Sequence, residues 1–124
     1  MSPDGKSVAA FYTERPESTQ DAPNGIAILP FKGGKPEQVF PIDNTVNHTA
    51  ALRWTPDGTG VSYVKTEHGV GNVWVQPLSS APARKVTNLT GDRIFYFCWS
   101  PDGKTLFVVR GTLTNDIVLL RAVQ

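Results

Sequence analysis

Three aspartates, Asp4, Asp57 and Asp102, each sit third in a Ser/Thr-Pro-Asp-Gly tetrapeptide: Ser2-Pro3-Asp4-Gly5, Thr55-Pro56-Asp57-Gly58 and Ser100-Pro101-Asp102-Gly103. Recurring carboxylates suggest acid–base chemistry or a metal site, but the tetrapeptide already gives each one a role. Proline presets φ at the second turn position, aspartate tolerates the third, and glycine takes the left-handed residue that follows. Pro3, Asp4, Gly5, Pro56, Asp57, Gly58, Pro101, Asp102 and Gly103 are therefore read as structural turns. The three aspartates are expected far apart, on successive units along one rim.

The remaining reactive side chains are few. His48 and His68 have no Cys, Asp or Glu at metal-ligand spacing. His48 precedes an inner strand, where binding is conceivable, but a structural or solvated histidine is the weightier reading. Cys98, the single cysteine, lies inside Phe95-Tyr96-Phe97-Cys98-Trp99 and reads as a small core hydrophobe. Trp54, Trp74 and Trp99 could stack a ligand, yet their fixed places in the repeat make Trp54 and Trp99 core residues between sheets, expected to be largely buried. Asn47-His48-Thr49 and Asn88-Leu89-Thr90 match the glycosylation pattern, a triplet that chance often supplies. The sequence holds no Gly-x-Ser-x-Gly elbow, no phosphate-binding glycine loop and no kinase catalytic-loop motif. The expectation is a non-enzyme with no catalytic residue, no metal and no cofactor.

Composition narrows the class further. The 124 residues carry 12 basic and 11 acidic side chains for a net charge of +1, so no field draws the chain to nucleic acid or an anionic membrane. No apolar run approaches the ~20 residues of a spanning helix, and Met-Ser-Pro-Asp-Gly is not a secretory leader. Localisation stays unknown.

The elements that position these residues are strands. After each turn comes a β-rich apolar run: Ser7 to Tyr12, Val61 to Val64, and Thr105 to Val109. A second follows at Gly25 to Leu29, Asn72 to Gln76 and Asp116 to Leu120, and a shorter third at Glu37 to Phe40 and Arg84 to Thr87. His48 to Trp54 and Arg93 to Trp99 precede the second and third turns. Nothing has helical period, and 10 prolines and 11 glycines punctuate the chain. Trp54 and Trp99 stand 45 residues apart, within the ~40–50 of propeller blades. The fold class is all-β: a partial β-propeller of about three four-stranded antiparallel blades, 1–45, 46–90 and 91–124, making one domain over 1–124. Met1 stands where the repeat would place tryptophan, so the first blade is expected to lack its innermost strand and the last its outermost. The longer first interval falls in Thr13 to Asn24, read as a surface hairpin loop.

The recurrent Trp-Ser/Thr-Pro-Asp-Gly, an apolar strand and an Asn-Val-Trp-Val-type strand resemble the WD-like repeats of TolB-type β-propellers over essentially the whole chain. The segment Asp92-Arg93-Ile94-Phe95-Tyr96-Phe97-Cys98-Trp99-Ser100-Pro101-Asp102-Gly103 is similar to the last blade of propellers fused to bacterial serine/threonine protein kinases and winged-helix regulators. That resemblance implies a non-catalytic interaction or sensor module at the C-terminal part of a larger bacterial signalling protein, one whose parent is membrane-tethered or periplasmic. The alternatives are the propeller of a prolyl-oligopeptidase-type hydrolase and a TolB-like periplasmic scaffold. The partner, a protein or a small ligand, is not readable. Incomplete end sheets expose strand edges, and self-association through them is expected.

Overall fold

The computed structural model describes residues 1–13 and 23–111, together with the backbone of 117–123. The Thr13 to Asn24 loop expected from sequence falls largely outside the described residues. Ten strands follow in chain order: β1 (Ser7–Tyr12), β2 (Gly25–Pro30), β3 (Gln38–Pro41), β4 (Arg53–Trp54), β5 (Gly60–Glu67), β6 (Val70–Pro77), β7 (Arg84–Lys85), β8 (Arg93–Trp99), β9 (Leu106–Gly111) and β10 (Ile117–Val123). They make three antiparallel sheets, β1-β2-β3, β4-β5-β6-β7 and β8-β9-β10, each meandering in sequence order. The described residues contain no helix, and so none long and apolar enough to cross a membrane.

Alternation along the strands decides which face packs where. In the middle sheet Trp54, Val61, Tyr63 and Trp74 share one face through the pairs Trp54–Val61 and Tyr63–Trp74. They meet Ile26, Ile28, Phe40, Ala9 and Phe11 of the first sheet. On the opposite face Val64 and Val73 meet Ile94, Phe97, Leu106 and Val108 of the third sheet. The middle sheet is thus sandwiched, and β5 reads as a nearly continuous buried run, Gly60 to Val64.

Two strands are shorter than the sequence suggests, each for a local reason. The expected run from His48 to Trp54 is a strand only at Arg53–Trp54. Asn47 ends it: its side-chain Oδ1 accepts from the Thr49 amide and hydroxyl, and its carbonyl accepts from the Ala50 amide. Such local side-chain bonds compete with a ladder. Beyond β4, the same edge of β5 is instead partly covered by the stretch before it, where the Asn47 amide donates to the Val64 carbonyl and the Thr66 amide to the Thr45 carbonyl. The strand expected from Arg84 to Thr87 closes at Lys85. There the Thr87 hydroxyl accepts from the Val73 amide and donates to Asn72 Oδ1, a buried side-chain link replacing the next ladder step.

Candidate functional site

The three Pro-Asp-Gly turns have one wiring. In the second, the Thr55 hydroxyl donates to Asp57 Oδ1 at 2.7 Å and accepts from the Gly60 amide at 3.1 Å, while the Thr59 amide donates to Asp57 Oδ1 at 3.0 Å. The Gly58 amide closes the turn on the Thr55 carbonyl, and the Thr55 amide bonds the Gly60 carbonyl. The same five bonds recur among Ser2, Asp4, Gly5, Lys6 and Ser7. They recur again among Ser100, Asp102, Gly103, Lys104 and Thr105. Gly5, Gly58 and Gly103 all have φ near +75°, which a side chain would resist.

These bonds set the electrostatics of the rim. The hydroxyl of Ser2 holds the Asp4 carboxyl below its ordinary pKa, helped by the Lys6 amide. For Asp57 the Thr59 amide is the larger influence, followed by the Thr55 hydroxyl, and for Asp102 it is the Ser100 hydroxyl. Bonds to the charged form favour ionisation. An ionised acceptor tied to its own turn is a poor general acid. Successive turns touch at their prolines and glycines. Pro3 lies 3.5 Å from where a Gly58 Cβ would stand, and Pro56 lies 3.3 Å from that position at Gly103. Asp57 and Asp102 consequently line one groove between the second and third sheets, together with Thr55, Val75, Arg84 and Trp99.

Trp54 and Trp99 are each half-buried rather than enclosed, because Trp99 flanks that groove and both indoles flank a second one. Both occupy sheet-to-sheet joints but differ at nitrogen. Trp99 Nε1 donates to the buried Ser62 hydroxyl of the middle sheet at 3.0 Å, and Ser62 donates onward to the Arg53 carbonyl at 2.7 Å. Trp54 Nε1 is buried and meets no acceptor among the described residues. Counting from the turn, Ala9 occupies in the first sheet the place Ser62 holds in the second, so the methyl group there has no acceptor to offer. Arg53 adds a second tie between sheets: its Nε donates to the Phe97 carbonyl at 2.7 Å and its guanidinium lies 4.8 Å from the Tyr96 ring centre. Neither Ser62 nor Arg53 was singled out from sequence. The cue was present in the repeat itself, since Ser62 stands seven residues after the turn-opening Thr55, the place Ala9 holds after Ser2.

The other sequence candidates stand apart. His48 is exposed, edge-on to Phe11 with ring centres 6.5 Å apart. His68 is exposed in the two-residue β5–β6 turn, with φ at +51° beside Gly69 at +79°. Cys98 is a half-buried free thiol on the far face of the third sheet. Among the described residues no three His, Cys, Asp or Glu side chains are grouped to hold a metal. The arrangement offers shaped, partly apolar grooves and sheet-to-sheet joints, without a nucleophile–base pair among these candidates.

No family model matches the chain. Among curated proteins it is similar to "Tricorn protease homolog 1" of Streptomyces coelicolor, at 32% identity over 85 residues. That stretch covers 68% of this chain but 8% of the relative, so the chain spans less than a tenth of that protein's length.

Proposed function

We propose that this chain is a run of three consecutive β-propeller blades serving as a non-catalytic interaction module. One observation carries the reading: the same sheet-to-sheet joint occurs twice, each time with the proline of one turn against the glycine of the next. A unit that repeats its own joint builds an array whose rim and grooves are available for binding. The rim carboxylates are engaged within their own turns, which leaves them to position backbone rather than to move protons. Purified chain incubated with ATP, peptides and esters is expected to turn none of them over. Reproducible turnover abolished by a point change within the chain overturns the reading.

The larger protein served by such a module is a separate question. A blade array feeding a peptidase is favoured by the similarity to a protein named as a protease homolog. A signalling parent of the kinase-linked kind rests on the motif resemblance of the segment from Asp92 to Gly103. Fluorescence anisotropy of a labelled unstructured polypeptide titrated with the chain separates them. The peptidase reading expects saturable binding sensitive to Trp99→Ala, and absence of binding favours the signalling reading.

A further inference from the structure

We draw no further inference here: the strongest candidate, the groove between the second and third sheets lined by Thr55, Val75, Arg84 and Trp99, belongs to the site already described, and nothing in the structure shows what covers it where the third sheet is described at β10 by its backbone alone.

Discussion

At the scale of single residues, the comparison of Trp99 with Trp54 isolates the value of one hydroxyl. The two indoles occupy equivalent joints: Ser62 serves Trp99, while Trp54 finds no acceptor among the described residues and Ala9 holds the position equivalent to Ser62. Ser62→Ala leaves the part-buried Trp99 indole N–H without its acceptor and is expected to cost about 1–3 kcal/mol, whereas supplying an acceptor by Ala9→Ser is expected to add about 0.5–1.5 kcal/mol. Urea denaturation of both variants checks the pair, and a neutral result at both positions removes the hydrogen bond from the joint's energetics. The turn aspartates make a second, pH-linked prediction. Each native carboxyl titrates below its ordinary value, so the native state binds fewer protons than the unfolded chain wherever the unfolded carboxyls are titrating. Their contribution is complete above the ordinary pKa of about 3.9 and is lost as the pH falls through the lowered native values. Stability is therefore expected to be flat with respect to these groups near neutrality and to decline below about pH 4. Asp57→Asn keeps an acceptor but removes a titrating charge. Melting curves between pH 2 and 7 should show a shallower acid decline for this variant.

At the scale of elements, the close approach of β6 to β8 is the tightest constraint. A Cβ on Gly71 would stand 2.8 Å from the Ile94 amide nitrogen, and the Gly71 amide itself donates to the Asp92 carbonyl at 2.9 Å. Backbone facing backbone cannot yield as a side-chain tip can, so Gly71→Ala is expected to cost about 1–3 kcal/mol through overpacking. Thermal denaturation decides it, and an unchanged melting temperature would show that the second and third sheets separate freely. Gly71 also marks what sequence reading could and could not reach. The strand order and the turns were legible because alternation and Pro-Asp-Gly chemistry are local signals, and β1, β2, β5, β6, β8 and β9 lie where those signals put them. The limits of β4 and β7 were not legible, since they depend on Asn47 and Thr87 choosing particular backbone partners. The contact between Pro3 and Gly58 was equally hidden. It joins residues 55 apart in sequence, and only the stacking of whole sheets brings them together. Half-burial of Trp54 and Trp99 has the same origin: the repeat fixed which joint each occupies, while the grooves beside them depend on how the neighbouring turns meet.

At the scale of the whole molecule, the stack of three sheets predicts an uneven distribution of stability. The middle sheet packs both faces against neighbouring sheets, with Val61, Val64 and Val73 fully enclosed, whereas among the described residues the first and third sheets each pack one face against a neighbouring sheet. In a linear array each unit is stabilised by its own strands and by its nearest neighbours, so end sheets open at lower free energy than the one between them. Amide hydrogen exchange is expected to be slowest along β5 and β6, in the pairs Ser62–Val75, Tyr63–Trp74 and Val64–Val73. Amides of β1 to β3 and of β9 should exchange earlier. Ile28→Ala empties a side chain that is 2% exposed in the first joint, at about 2–5 kcal/mol. That loss should speed exchange in β1 to β3 well before it reaches β8 and β9, because the third sheet does not touch the altered joint. Uniform protection across all three sheets, with Ile28→Ala accelerating every amide equally, would mean that the stack unfolds only as one unit. The nearest-neighbour description would then fail, and the joints would have to be far stronger than the sheets they connect.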